Sequence, residues 1–98
     1  VKLRVLAHQN LLLSQATAAQ RVVHHLVQLA GTYGEAQGQG VAIRISFTHQ
    51  EMANLAGLSR VMTSNVLMQL QAQGVIEMVK SHCVIREMQA LRQRAVVL

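Results

Sequence analysis

The order of helical, strand-like and hairpin-like patterns along this chain predicts a mainly α fold with a small β component, a winged helix-turn-helix. Three observations carry that expectation. Thr17 and Thr48 each stand three residues before a Gln or a Glu, the spacing of a capping box that starts a helix. The stretch "THQEMANLAGLSRVMTSNVLMQL", residues 48–70, holds two helical patterns joined at Gly57-Leu58-Ser59. An alternating apolar run precedes that stretch, and two short apolar runs follow it.

Each element has its own justification. Residues 1–13, "VKLRVLAHQNLLL", carry a loose helical stripe through Val1, Val5 and Leu12, with Leu6 and Leu13 beside it. Two readings stay open there: a helix packed on its own domain, or the tail of an inter-subunit helix. Thr17 and Gln20 start the next helix, whose apolar positions Val22, Val23, Leu26, Val27, Leu29 and Ala30 repeat at helical spacing, with Gly31 as its expected stop. "GTYGEAQGQG", residues 31–40, holds four of the six glycines and is expected to be a loop. In "VAIRISF", Val41, Ile43, Ile45 and Phe47 alternate with Ala42, Arg44 and Ser46, as in a half-buried strand.

Thr48 and Glu51 then open the first helix of the paired motif. Ala53 is small where two crossing helices approach, and Gly57 suits the left-handed residue that ends the first of them. Ser59 is positioned to cap the second helix, whose inward stripe is Val66, Leu67 and Leu70, with Met52 and Leu55 opposite. "VIEMV" and "CVIRE", joined through Lys80-Ser81-His82, predict a β-hairpin wing. A short helix through Met88, Leu91 and Val96 is expected to close the chain.

Composition bounds the function. Ninety-eight residues make one small domain, and 51% hydrophobic with 13% charged residues describes a globular chain. No apolar run approaches the roughly 18 to 20 residues of a membrane span, and no signal-peptide pattern opens the sequence, so a cytoplasmic location with no membrane partner is expected. Cys83 is the only cysteine, which accords with a reducing compartment. Nine Lys and Arg against four Asp and Glu give a net charge of +5, a balance that favours a polyanionic partner. The chain opens at Val1 with a helical pattern already running, which raises the expectation that it is a piece of something longer.

From about Arg21 to Arg86 the sequence resembles the DNA-binding domain of the cyclic-AMP receptor and FNR family of bacterial transcriptional regulators. The resemblance rests on "FTHQEMANLAGLSR", on "VLMQLQAQGVIEM", and on the order helix, Gly-rich segment, strand, helix-turn-helix, wing. Arg60 followed by Val61 is most similar to the cyanobacterial nitrogen-control branch. It implies that residues 1–16 are the end of a linker and dimerisation helix, that residues 17–98 are the winged helix-turn-helix, and that an effector-sensing domain stands upstream in the whole protein. A homodimer on double-stranded DNA is the implied assembly. No cofactor is expected in this domain. The resemblance also sets the exposed loop of residues 31–40 where some members touch RNA polymerase.

Its DNA contacts carry over position by position. Arg60 matches the guanine-reading arginine at the start of the recognition helix, where a guanidinium can pair bidentately with O6 and N7. Ser59 and Gln50 match phosphate contacts, and His49 sits where a basic or polar residue touches the backbone; Ser59 and Gln50 also have the plainer role of helix capping. The family commonly reads Ser-Arg-Glu-Thr-Val-x-Arg, whereas here Ser59-Arg60-Val61-Met62-Thr63-Ser64-Asn65 stands. The acidic reader is Val61, the second arginine is Asn65, and Thr63 fills a slot that is normally apolar. Helical geometry puts Arg60, Val61, Ser64, Asn65 and Met68 on one outward face. The expected base readers are therefore Arg60, Val61, Ser64 and Asn65, valine being able to touch a thymine methyl and asparagine to pair with adenine. His49, Gln50, Ser59 and Lys80 are the expected phosphate contacts, Lys80 from the wing tip.

Charge is the difficulty. No Lys or Arg lies between Arg60 and Lys80, so the recognition helix neutralises little phosphate. A salt slope of about 0.9 per contact, over some three or four contacts, makes a single domain bind weakly, and dimers on half-sites about 34–36 Å apart are implied. The competing reading is a winged helix turned to protein interaction, with Val61 and Met68 as a contact patch. Other chemistry is less supported. His24 and His25 point about 100° apart on a helix and do not chelate together, and His82 beside Cys83 lacks the second cysteine of a zinc site. The glycines of 31–40 precede no Gly-Lys-Ser/Thr, and Glu35, Glu51, Glu77 and Glu87 are scattered, so no metal site, phosphate loop or acid–base pair of an enzyme is expected.

Overall fold

Two threonine capping boxes organise the first half of the domain. In the computed structural model, which describes residues 17–80 and 82–95, Thr17 Oγ1 accepts from the Gln20 amide at 3.1 Å while the Thr17 amide donates to Gln20 Oε1 at 2.9 Å. Helix α1, Ala18–Tyr33, follows and turns Val22, Val23, Leu26 and Ala30 into the core. The expected stop at Gly31 is overrun by nearly a turn. Gly31 is exposed with nothing near its missing side chain, so it costs the helix only backbone entropy. The true end is Gly34, where the backbone turns extended and a Cβ would collide with the Ala30 carbonyl oxygen and Val41 Cγ1.

The Gly-rich stretch corrects a second expectation, since it is a strand and a tight turn rather than a loop. Strand β1, Gly34–Gln37, pairs antiparallel with β2, Gly40–Ser46, and Gly38-Gln39 makes the turn with Gly38 at φ 62°. Ile43 and Phe47 are buried as the alternation predicts, but Val41 is only half-buried and Ile45 is exposed. The pairing of β2 with the later wing strand shifts register between Ala42 and Ser46, which interrupts the period of two.

Thr48 then accepts from the Glu51 amide at 3.0 Å and donates its own amide to Glu51 Oε1 at 2.8 Å, opening α2, His49–Ala56. Gly57, at φ 69° and ψ 37°, is the left-handed residue that ends α2, and the Leu58 amide returns to the Ala53 carbonyl at 2.9 Å. Ser59 Oγ accepts from the Met62 amide at 3.1 Å and opens α3, Arg60–Ala72. Ala53 is fully buried beside Met52 and Ala56. Leu55 departs from expectation: it is 52% exposed, since it lies about 200° round the helix from Ala53.

Strands β3, Ile76–Val79, and β4, His82–Ile85, form the wing. Val79 pairs with His82, so His82 belongs to the strand and the turn is shorter than the three residues expected. Lys80 takes φ 50° there, the left-handed geometry a tight hairpin needs. The sheet order is β1-β2-β4-β3, all antiparallel, and α4, Met88–Ala95, closes against α1 with Leu91 fully buried. Val96 and the whole of residues 1–16, with their expected dimerisation helix, lie outside the described residues. The core joins α1, the sheet and the two motif helices through Leu26, Ile43, Met52, Leu67 and Ile85. It holds α3 by its Val66, Leu67 and Leu70 side, leaving the opposite side outward.

Candidate nucleic-acid interface

That outward side of α3 is the candidate site. Arg60 and Asn65 are exposed, Val61 is 70% exposed and Met68 62%. Four of the five residues expected on this face are therefore presented to a partner. Ser64 is half-buried, its Oγ lying 2.7 Å from His49 Nδ1 on α2. The bond joins an expected base reader to an expected phosphate contact and clasps the two motif helices. Fifteen residues separate the pair, and nothing local in the sequence announces it; only the crossing of α2 and α3 does.

The remaining expected phosphate contacts are placed as follows. Gln50 is exposed and its Nε2 donates to Asn54 Oδ1 at 2.9 Å, one turn along α2. Ser59 both caps α3 and stays exposed, so its hydroxyl proton is available to an anion outside the helix. The N-termini of α2 and α3 add backbone N–H groups and the positive ends of two helix dipoles. Lys80 is exposed at the wing tip.

Elsewhere several arginines are engaged within the fold. Arg44 pairs with Glu35, tying β2 to β1, and Arg86 pairs with Glu77 at 3.0 Å across the wing. Arg94 donates to Gln73 Oε1 at 3.1 Å and to the Ala90 carbonyl at 3.0 Å, and Arg21 to the Ala56 carbonyl at 3.4 Å. The exposed ion pairs are worth little to stability, yet each lowers the charge open to a polyanion. The side chains of Arg60 and Lys80 make no hydrogen bond or ion pair among the described residues.

Other groups among the described residues offer no competing site. Cys83 is fully buried in β4, and desolvation pushes its thiol up to about 12, which suppresses the thiolate. His24 and His25 stack edge to face with ring centres 5.2 Å apart, and burial, then the charge of His24, holds His25 below its ordinary value. Among the described residues no three His, Cys, Asp or Glu cluster as metal ligands, and no helix is long and apolar enough to cross a membrane.

A family model described as the Crp-like helix-turn-helix domain matches residues 20–94. The chain belongs to that family. The Crp-like domain is similar in structure to CprK in complex with o-chlorophenolacetic acid, with TM-score 0.77 and 16% identity over 99% of this chain and 40% of that one. It is similar also to TTHA1359, a transcriptional regulator of the CRP/FNR family from Thermus thermophilus, with TM-score 0.76 and 19% identity over 95% of this chain and 47% of that one. The CO-dependent transcription factor CooA from Carboxydothermus hydrogenoformans gives TM-score 0.74 and 25% identity over 81% of this chain and 37% of that one. The chain thus spans less than half the length of these proteins. No curated protein sequence matches it.

Family and fold together make the Crp-like domain a DNA-binding regulator domain, and do not favour the protein-interaction reading. The matched family and structures are of transcriptional regulators, not enzymes. The finer expectation, the nitrogen-control branch, is not supported by these matches. That placement leaned on Arg60-Val61 alone, two residues of the outward face of α3.

Proposed function

We infer that the Crp-like domain lays α3 in the major groove of a DNA half-site and reads it with Arg60, Val61, Ser64 and Asn65. The outer face of α3 carries the reading: an exposed guanidinium in the first turn, unpaired among the described residues, with Val61 and Asn65 beside it and no acidic group on the helix. Arg60 pairs bidentately with guanine O6 and N7, and Asn65 with adenine N6 and N7. Ser64, held by His49, offers its hydroxyl from the inner rim of the face. His49, Gln50 and Ser59 meet phosphates from the two helix N-termini, and Lys80 meets one from the wing.

Residues 17–98 form the DNA-binding unit of the whole protein. A homodimer in the cytoplasm then spans two half-sites. An effector-sensing domain stands upstream, and the segment of residues 31–40 is the surface offered to RNA polymerase. Selection of the full chain against a randomised DNA pool at two salt concentrations tests the reading. A recurrent half-site with a guanine is expected, bound with a shallow salt slope of about 0.9 for each phosphate that a cation neutralises. Recovery of no common sequence at either salt would remove the base-reading role.

A further inference from the structure

The Val61 side chain answers no polar group. It is 70% exposed on the second residue of α3, beside Arg60, with Asn65 one turn farther on the same side. The N-terminal turn of a recognition helix is the part that meets base edges, and Val61 lies in it. Met68 is also 62% exposed, but stands about 10 Å farther along the axis at about 1.5 Å per residue. Val61, rather than Met68, is therefore the alkyl group that arrives over the bases with Arg60.

An isopropyl group neither donates nor accepts a hydrogen bond. The major groove presents N7, O6 and O4 acceptors and amino donors, and one apolar feature, the methyl at C5 of thymine. We propose that Val61 is a sensor of pyrimidine C5-methyl groups: it discriminates by the methyl and not by the identity of the base that carries it. Thymine and 5-methylcytosine hold that methyl at the same ring position. The binding site of this domain therefore responds to cytosine methylation at the step that Val61 covers.

The proposal rests on α3 being a base-reading helix, and its test keeps the two apart. Once the full chain has selected a site, each pyrimidine of the half-site is presented in turn as thymine, deoxyuridine, cytosine and 5-methylcytosine, and affinity is measured by fluorescence anisotropy. At one position, loss of the methyl from thymine is expected to weaken binding about fourfold, the worth of one buried methyl. At the same position 5-methylcytosine binds more tightly than cytosine. Both differences collapse in Val61→Ala, a surface change that leaves the core intact, while the dependence on guanine persists. Equal binding of thymine and deoxyuridine at every position, or a methyl effect unchanged in Val61→Ala, overturns the proposal and leaves the base-reading helix standing. Failure to select any site overturns both.

Discussion

Thr63 shows how a single residue in this domain works against its surroundings. It is fully buried on the inner side of α3, and its Oγ1 has no hydrogen-bond partner among the described residues. A buried hydroxyl without a partner costs about 1–3 kcal/mol, and valine has nearly the same shape without that cost. Thr63→Val is expected to stabilise the domain by about 1 kcal/mol, or about 4–8 °C in a thermal melt. A melt that stays level or falls would mean that the hydroxyl does find a partner. Two titrating residues give pH signatures. Cys83 is raised on folding, so the stability it supports is complete below about pH 9, its ordinary value, and is lost as pH rises toward about 12. Native chain should resist thiol reagents at about pH 8 and react on denaturation. His25 is lowered on folding, so the unfolded chain binds more protons there and stability falls as pH drops below 6.5. His25→Gln should flatten that acid limb of a stability–pH curve, and an unaltered limb would locate it in other groups. At this scale the sequence was legible where the reason is local: the caps at Thr17, Thr48 and Ser59, and the odd polar residue at 63. The His49–Ser64 bond was not, because it depends on how two helices cross.

At the scale of elements, legibility followed burial. The helix-turn-helix could be read because its inward residues, Met52, Ala53, Val66, Leu67 and Leu70, are periodic and its ends carry capping chemistry. Strand β1 could not, because all four of its residues are exposed and no alternation marks them. What remained visible were its glycines, which suggest a loop until the turn at Gly38-Gln39 is recognised as the two-residue connection of a hairpin. The same segment yields a paired test. Gly31 and Gly34 are three residues apart, yet a side chain at Gly31 meets nothing while one at Gly34 meets the Ala30 carbonyl and Val41. Gly31→Ala should stabilise α1 by about 0.5–1 kcal/mol. Gly34→Ala should destabilise by about 1–3 kcal/mol, as overpacking does. Urea denaturation of the two variants compares them directly, and shifts of the same sign would misplace the end of α1.

For the whole molecule, the net charge of +5 is spread over the fold, and little of it stands on the recognition surface, where Arg60 opens α3 and Lys80 tips the wing. Arg44 and Arg86 are paired with carboxylates, and Arg94 is bound to Gln73 and the backbone. The phosphate contacts proposed are mostly neutral groups at helix N-termini, with Lys80 as the one cation among them. Affinity of the single domain should consequently be low and moderately salt-dependent, and specificity should rest on few groups. Lys80→Ala is expected to reduce the salt slope by about 1 and to weaken all sequences alike. A sequence-dependent loss would instead make the wing a base reader. Composition alone pointed to a polyanion; the folded chain shows where among the described residues the cations stand, with Arg44 and Arg86 tied to carboxylates of the sheet and wing.

Base reading by α3 is tested most directly by titrating the full chain and its Arg60→Ala variant, side by side, against the selected site and against random-sequence DNA. Loss of a bidentate guanine contact predicts a cost of about 1–3 kcal/mol on the selected site, roughly 5- to 150-fold in affinity, with only the small loss of one charge on random DNA. An equal loss on both DNAs, or none on either, would contradict it.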